Sequence, residues 1–369
     1  MRKGFVIFVS QVQAILFLTH LLLYVTWAAF WPFSDSQALF ALRLGIALLS
    51  VSFVTASLLA FRYRNILVRI YYTLAAIWLG ALTYCVLACA ACWLAYLIIW
   101  TAGLRIDTAT IADITFGAAG LVAIYGVMNA SWIRVKRVTV RLPNLPEAWR
   151  GRMAALVSDT HLGPIRNERF ASKVVSLLLR TKPDVVFLAG DLYDGTAADI
   201  QRLAQPWSRL SAPLGSYYVT GNHEEFSTRG EYCDAIRGAG IRVLDNEKIV
   251  VDGVQIIGVH YRESANPRAF QSILERAALR SDAPSILLTH TPSRLGTAAE
   301  AGISLQLSGH THHGQFFPYT WITERIYGKY VYGLERFRDT QIYVSCGAGT
   351  WGPPLRVGTN PEIALIRFE

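Results

Sequence analysis

Three histidines lie within four positions in the string SGHTHHGQ, from Ser308 to Gln315, although the 369-residue chain has only eight histidines. Imidazole nitrogen is a common ligand for zinc, iron and manganese. If the preceding apolar run is a strand, residues two apart project to the same side, so His310 and His312 are expected to face one site. His313 breaks this alternation and is expected to point elsewhere. The string therefore predicts two metal ligands and one neighbour.

Four further apolar runs end in residues that bind metals. The runs are MAALVSDTH, ending at Asp159 and His161, DVVFLAGD, ending at Asp191, SYYVTGNH, ending at Asn222 and His223, and SILLTH, ending at His290. Continuous Val, Leu and Ile runs are typical of strands buried on both faces, and helix-like segments separate the early ones. In α/β folds, ligand sites lie at the carboxyl ends of strands. We therefore expect an α/β sandwich of two sheets with helices outside, and a shared site.

The donor atoms of this set are carboxylate and amide oxygens and imidazole nitrogens, with no thiolate. Such a set favours manganese, iron or zinc over a structural zinc knuckle, and we expect manganese, with iron and zinc as alternatives. The five cysteines show neither a disulfide framework nor a zinc-binding spacing. The donors are too many for one ion but fit two divalent ions about 3.5–4 Å apart around a shared carboxylate. The predicted ligands are Asp159, His161, Asp191, Asn222, His290, His310 and His312.

A pair of divalent ions suits the hydrolysis of phosphate esters. It binds a phosphoryl oxygen, lowers the pKa of a bridging water and stabilises in-line displacement. Asp191 can bridge two cations and is therefore predicted to be catalytic as well as a ligand. His223, next to Asn222, is placed to stabilise charge on phosphorus or on the leaving group. These residues predict a metal-dependent phosphoric ester or pyrophosphate hydrolase.

The ordered series D-x-H, G-D, G-N-H-E, T-H and G-H-x-H resembles the calcineurin-like metallophosphoesterases over about residues 152–369. That resemblance implies a four-layer α/β/β/α sandwich. The longer strings SDTHLG, TGNHE and YVSCGAGTWGPPLR are similar to the membrane-linked bacterial branch, which includes phosphodiesterases and enzymes that cleave UDP-2,3-diacylglucosamine. Members of this branch often have glycine at the position of His313.

The resemblance also implies which residues hold each ion. Asp159, His161 and His312 would hold one ion, and Asn222, His290 and His310 the other. Asp191 would bridge the two ions, and His223 would contact the phosphate or act as the acid.

The N-terminal third is strongly apolar, and most of the chain's excess hydrophobicity lies before Trp132. Four stretches, 5–30, 38–61, 70–100 and 109–128, are long enough to cross a bilayer as helices. We expect a four-helix transmembrane domain over residues 1–132, a basic connector with the first strand over 133–150, and the catalytic domain over 151–369. The third stretch is long enough that division at Gly80 into two shorter segments is an alternative, which would reverse the side of the catalytic domain.

The basic residues favour lipid head groups as partners over nucleic acid. Of the net charge of +9, the segment before Ile133 contributes seven Lys and Arg against three Asp and Glu, next to the apolar stretches. Positive charge alternates between loops and is concentrated in Arg62–Arg69 and in IRVKRVTVR, after the fourth stretch. Under the positive-inside rule, the N-terminus and the catalytic domain lie on the cytoplasmic side of a bacterial inner membrane.

A lipid-linked phosphate ester, such as UDP-2,3-diacylglucosamine, is the expected substrate, because four membrane spans are unnecessary for an enzyme of soluble substrates. The alternatives are a phosphoesterase of soluble nucleotides anchored by its helices, and a non-catalytic membrane receptor. The aromatic segment Phe316–Phe337 is either a packed surface loop or an acyl-chain or membrane-facing wall beside the metals. Arg356 is expected either to contact substrate phosphate or to pair with an acid. The oligomeric state stays open.

Overall fold

The computed structural model describes residues 2–31, 35–226 and 229–369. The chain forms two compact units. One contains residues 1–128 together with Gly352–Leu355, and the other contains Asn129–Trp351 and Arg356–Glu369. Below, the first is called the helical unit and the second the catalytic unit.

The helical unit contains four long helices: α1 (Arg2–Phe30), α2 (Ser36–Ala60), α3 (Ile66–Thr101) and α4 (Thr108–Asn129). All four are long and apolar enough to cross a membrane. The carboxylate of Asp35 and the amide of Asn65 cap the first turns of α2 and α3. Helix α3 is continuous through Gly80, so the alternative of two short segments is wrong. The gap between the predicted stretches 5–30 and 38–61 includes residues 32–34, which are outside the described residues.

Two ionisable groups within these helices have partners inside the helical unit. The Nε2 atom of His20 accepts a hydrogen bond from the indole of Trp78 at 2.9 Å, and its Nδ1 donates to the Leu16 carbonyl at 2.7 Å. The carboxylate of Asp113 accepts a hydrogen bond from Trp31 at 3.0 Å. These contacts give both residues a structural role in holding helices together.

The catalytic unit contains twelve strands. They are β1 (Arg134–Val140), β2 (Met153–Val157), β3 (Val185–Ala189), β4 (Ser216–Val219), β5 (Arg242–Val243), β6 (Lys248–Val251), β7 (Val254–Val259), β8 (Ser285–Thr289), β9 (Leu305–Ser308), β10 (Gly333–Phe337), β11 (Thr340–Val344) and β12 (Glu362–Phe368). The first sheet has the order β1-β12-β2-β3-β4-β5, and the second has the order β10-β11-β9-β8-β7-β6. The neighbours β2, β3 and β4 are parallel, as are β7, β8 and β9.

Seven helices accompany these strands. They are α5 (Glu168–Thr181), α6 (Ile200–Ala204), α7 (Arg229–Gly238), α8 (Tyr261–Ala265), α9 (Pro267–Ala277), α10 (Leu295–Glu300) and α11 (Tyr319–Tyr327).

Burial shows how the layers stack. Leu156 and Phe187 of the first sheet share one buried cluster with Leu288 and Leu307 of the second, so the sheets pack face to face. Ala155, the residue before Leu156, lies in a separate cluster with α5 and α7 on the outer face of the first sheet. A third cluster packs α9 and α10 against the second sheet. The predicted four-layer α/β/β/α sandwich is confirmed.

Candidate metal centre

The structure brings all seven predicted ligands and His223 together at the carboxyl ends of the parallel strands. Strand β2 leads to Asp159 and His161, β3 to Asp191, and β4 to Asn222 and His223. In the second sheet, β8 leads to His290, and β9 leads to His310 and His312. Parallel strands end at the same edge of a sheet, which explains this convergence.

One group of donor atoms comes from Asp159, His161 and His312. The Nε2 atoms of the two histidines are 3.0 Å apart. The Nε2 atom of His312 lies 3.4 Å from Oδ1 of Asp159, and that of His161 lies 3.9 Å from the same oxygen. Two imidazoles and a carboxylate thus point at one small volume.

A second group comes from Asp191, His290 and His310, with Asn222 beside it. The Nε2 atom of His290 lies 3.1 Å from Oδ2 of Asp191 and 3.2 Å from Nδ1 of His310. That Nδ1 atom is also 3.0 Å from the amide oxygen of Asn222. Nδ1 of His290 lies 2.7 Å from the Ala189 carbonyl, to which only a protonated nitrogen can bond, so Nε2 faces the other donors.

Asp191 lies between the two groups. Its Oδ2 atom is 3.1 Å from His290 in the second group and 3.9 Å from His161 in the first. The same oxygen is 3.9 Å from Nε2 of His223, and Asp191, His161 and His223 make a third close set of donor atoms. The position of Asp191 is the one that a shared carboxylate requires.

The electrostatics of the centre favour bound cations. Burial lowers the pKa of His161 and His312 well below the ordinary value, which keeps these imidazoles neutral with a lone pair for a cation. Burial alone would raise the pKa of Asp191, but the positive charge on His290 and its hydrogen bond lower it below the usual range. Although burial opposes it, the carboxylates of Asp191 and Asp159 raise the pKa of His290 to about 10, which favours a positive charge at this position. Because a ligand nitrogen must be deprotonated, a divalent ion bound between these carboxylates would displace the Nε2 proton of His290. With that exchange the donors fit divalent metal ions.

Five predicted ligands have left-handed backbone conformations. They are Asp159 (φ 52°), His161 (φ 47°), Asp191 (φ 50°), His310 (φ 73°) and His312 (φ 49°). Each such residue costs about 1–2 kcal/mol, so the surrounding packing must impose these conformations. Strand alternation was the wrong reason for their convergence, because β2 ends at Val157 and β9 at Ser308, before the ligands. Tight turns beyond the strands aim the side chains instead.

Glycine allows the strand ends to approach closely. Gly190 has φ of +80°, and a Cβ atom there would lie 2.5 Å from the Gly221 nitrogen. A Cβ atom at Gly309 would collide with the Asp159 carboxylate. Gly190 therefore allows the end of β4 to approach the end of β3.

His223 faces the centre with one nitrogen. Its Nδ1 atom lies 2.8 Å from the Asp194 carbonyl and must donate to it, which leaves Nε2 directed toward Asp191. The ring of His223 is 4.7 Å from that of His161 and 5.8 Å from that of Trp351. Sequence reasoning did not single out Trp351, whose backbone N–H and carbonyl are both hydrogen-bonded to the Gln315 side chain.

His313 lies in none of the donor groups found among the described residues. Its ring stacks on Tyr332 with 4.9 Å between centroids, and its Nε2 atom is 3.4 Å from Glu324. In the structure His310 and His312 thus lie in donor groups and His313 does not, and their roles as ligands stay a prediction.

Two more residues, Glu224 and Arg356, hold the centre in place. Glu224, the last residue of the G-N-H-E string, is fully buried, and its carboxylate accepts backbone N–H bonds from Asp191, Tyr193 and Gly221. The string contained this residue, but sequence reasoning gave it no role.

Arg356 does neither of the two things expected of it. It is fully buried, and it donates hydrogen bonds to the carbonyls of His312, Cys346 and Gly349 at 2.6–2.9 Å. The guanidinium therefore joins the turn that carries His312 to the loop over residues 346–349, and it acts through backbone positioning.

Comparison with known proteins agrees with this fold and site. Residues 154–314 match the calcineurin-like phosphoesterase family. A Danio rerio transmembrane protein with metallophosphoesterase domain is 33% identical over 262 residues, which cover 67% of this chain and 60% of that protein. An uncharacterized Helicobacter pylori metallophosphoesterase is 32% identical over 217 residues, covering 58% of each chain. The uncharacterized metallophosphoesterase YkuE of Bacillus subtilis is 30% identical over 243 residues, covering 63% of this chain and 84% of that protein.

The chain belongs to the calcineurin-like phosphoesterase family, and its four candidate membrane helices make it a membrane-associated member. It spans about 60% of the length of the first two of these relatives.

Proposed function

We propose that this protein is a membrane-bound phosphoesterase that hydrolyses a phosphodiester or pyrophosphate bond with two divalent metal ions. The observation that carries the proposal is the position of Asp191, whose Oδ2 atom lies between two groups of neutral or paired donors. Asp159, His161 and His312 would hold one ion, and Asn222, His290 and His310 the other. When bound, such ions supply Lewis acidity toward a phosphoryl oxygen and activate water.

The side chains themselves contribute positioning and a proton. His223 keeps its Nδ1 proton on the Asp194 carbonyl, so Nε2 stays directed into the centre. A second proton on Nε2 would allow His223 to hydrogen-bond a phosphoryl oxygen or to protonate the departing oxygen. Asp191 also fixes the backbone of His223, because its Oδ1 atom accepts the His223 N–H at 2.9 Å. Burial of the centre excludes water from all but the substrate side, which strengthens these interactions.

Substrates that carry acyl chains are our preferred class, with UDP-2,3-diacylglucosamine as the specific candidate. The support is the N-terminal unit of four apolar helices, which keeps the catalytic unit at a bilayer, where a lipid substrate is concentrated. An exposed aromatic side chain, Trp351, also lies beside His223. Manganese is the preferred ion, with iron and zinc as alternatives, because the donors combine oxygen and imidazole nitrogen.

The activity is tested with purified full-length protein, Mn²⁺ and an activated aryl phosphodiester. We expect hydrolysis by the wild type and its loss in Asp191→Ala and Asn222→Ala. Wild-type protein that binds two metal ions but hydrolyses no phosphomonoester, phosphodiester or pyrophosphate would instead be a non-catalytic receptor.

The substrate class is tested by a head-group-resolved screen of phospholipids and UDP-linked lipids. UDP-2,3-diacylglucosamine should be cleaved with much higher kcat/KM than the same UDP-sugar without acyl chains. Equal kcat/KM for both would favour a soluble nucleotide substrate, with the helices serving only as an anchor.

We also place the catalytic unit on the cytoplasmic side of a bacterial inner membrane, because the loop Arg62–Arg69 and the segment after α4 are rich in arginine. Green fluorescent protein fused to the C-terminus should then be fluorescent in cells. Alkaline phosphatase at the same position should be inactive, and the reverse pattern would place the unit outside.

A further inference from the structure

Helix α11 has an apolar side that other parts of the chain leave uncovered. Trp321 is 62% exposed, Ile322 is 53% exposed and Ile326 is 69% exposed. At 3.6 residues per turn these three side chains lie on one side of the helix, and the buried Thr320 lies on the other. Adjacent large apolar side chains at this exposure mark a surface that contacts something apolar.

Trp351 is a further exposed aromatic side chain, which lies close to the metal centre and is tied to the segment just before α11. Its side chain is 59% exposed, although its backbone is fixed by two hydrogen bonds of 2.8 and 3.0 Å to the Gln315 side chain. Gln315 lies four residues before α11, and the ring of Trp351 is 5.8 Å from that of His223. We call Trp321, Ile322, Ile326 and Trp351 the apolar patch.

Positive charge accompanies the apolar patch. Arg325 is exposed on the same side of α11. Strand β1, RVKRVTV, carries three basic residues and no acidic one, and its Lys136 donates a hydrogen bond at 3.0 Å to Tyr332, five residues after α11 ends. Two acids lie in the same region. Glu335 lies 3.7 Å from Lys329, whereas Glu324 keeps its negative charge, because burial lowers the pKa of its partner His313 and leaves that ring neutral. Arg325 and the three basic residues of β1 outnumber this one unpaired acid.

We propose that the apolar patch inserts into the interface of a bilayer that contains anionic lipid. Exposed tryptophan beside aliphatic side chains, flanked by arginine and lysine, is the chemistry of a membrane-interface surface. A bilayer is always near this unit, because β1 begins at Arg134, five residues after α4 ends at Asn129. The basic residues favour anionic head groups, because lysine and arginine near a bilayer surface are attracted to negatively charged lipid.

This surface is independent of the hydrolysis proposed above. A phosphoesterase of soluble substrates could rest on lipid in the same way, and a catalytic unit without this contact could still hydrolyse a lipid. A failure of either proposal therefore leaves the other standing.

The test is photo-crosslinking of the full-length protein in nanodiscs made from equal amounts of phosphatidylcholine and phosphatidylglycerol. Benzoylphenylalanine replaces Trp321 or Ile326, which are exposed and therefore tolerate it. The matched control is Val250, which is 61% exposed on β6, at the opposite edge of the second sheet from β10. Metal content, measured for each variant, shows that the catalytic unit is folded.

We expect lipid adducts, detected by mass spectrometry, at positions 321 and 326 in at least tenfold greater yield than at 250. Yields equal to that at 250 would overturn the proposal, as would crosslinks to a second copy of the chain in place of lipid. In nanodiscs of phosphatidylcholine alone the yield should fall, and an unchanged yield would overturn the preference for anionic lipid.

Discussion

The carboxylate of Glu224 accepts a hydrogen bond from the backbone N–H of Asp191 at 3.0 Å. The same oxygen accepts the Gly221 N–H at 2.7 Å, and the other oxygen accepts the Tyr193 N–H at 3.0 Å. One buried side chain thus ties the end of β3, which carries the shared carboxylate, to the end of β4, which carries Asn222. These hydrogen bonds of Glu224 go to backbone N–H groups and not to the donor atoms of the centre, so its role is positioning.

Replacement of Glu224 by glutamine should weaken metal binding. An amide has one acceptor oxygen, and its NH₂ group would face a backbone N–H, so at least one of the three bonds is lost. Losses of this kind cost about 10- to 100-fold in metal affinity. The measurement is metal affinity by calorimetry, with Glu231→Gln, an exposed residue of α7, as the matched control. If Glu224→Gln binds metal as the wild type does, the carboxylate does not position the centre.

The neighbouring histidines His312 and His313 should respond differently to substitution. His313→Gly should keep both metal ions and most activity, because the ring contacts Tyr332 and Glu324 and lies in none of the donor groups found among the described residues. Glycine also accepts the φ of +52° at this position. His312→Ala should lose the ion held with Asp159 and His161. Metal content by mass spectrometry and turnover of an aryl phosphodiester distinguish the two. An empty metal site in His313→Gly would show that the ligands within the string were wrongly chosen.

His223 should matter for turnover more than for metal binding. A group that supplies a proton or a hydrogen bond to the reacting phosphate contributes about 10²- to 10⁴-fold to the rate. His223→Gln should therefore lower kcat by that factor while both ions remain bound. The Nε2 atom of His223 also lies in a close group with donor atoms of Asp191 and His161. Loss of an ion in this variant would therefore show that His223 is a metal ligand and not the proton donor.

The sequence allowed prediction of the centre because its ligands follow apolar strands directly. Parallel strands end at one edge, so Asp191 and His290 could be placed together although they are far apart in the chain. The local conformations could not be predicted, since left-handed φ at Asp159 depends on where β2 ends and on packing from Gly309 and Gly347.

Contacts over long sequence separations could not be predicted from the sequence either. Trp351 is held by Gln315, 36 residues earlier, and Arg356 bonds to the carbonyl of His312, 44 residues earlier. Nothing in either residue's local sequence specifies these partners. Glu224 is different, because it is the last residue of the recognised G-N-H-E string, although no role was predicted for it.

A buried histidine away from the centre predicts how stability depends on pH. The Nδ1 atom of His260 accepts the Thr220 N–H at 3.0 Å, and its Nε2 atom lies 3.2 Å from Asp245. Burial, followed by the charge of Arg229, lowers the pKa of His260 to about 4, against the opposing effect of Asp245. These contacts give His260 a structural role, and it lies in none of the donor groups found among the described residues.

The difference in proton binding between the folded and unfolded chain sets the direction in which stability changes with pH. Between pH 6.5 and about 4 the unfolded chain protonates this histidine and the folded chain does not, so the free energy of unfolding falls as pH falls. His260→Gln keeps an acceptor for Thr220 and a donor for Asp245 but does not titrate. From pH 7 to pH 5 the wild type should therefore lose up to about 2 kcal/mol more than the variant, which is about 4–8 °C in Tm for a unit of this size. Thermal unfolding of the full-length, chelator-treated protein in detergent at both pH values measures it, and parallel losses in the two proteins would contradict the prediction.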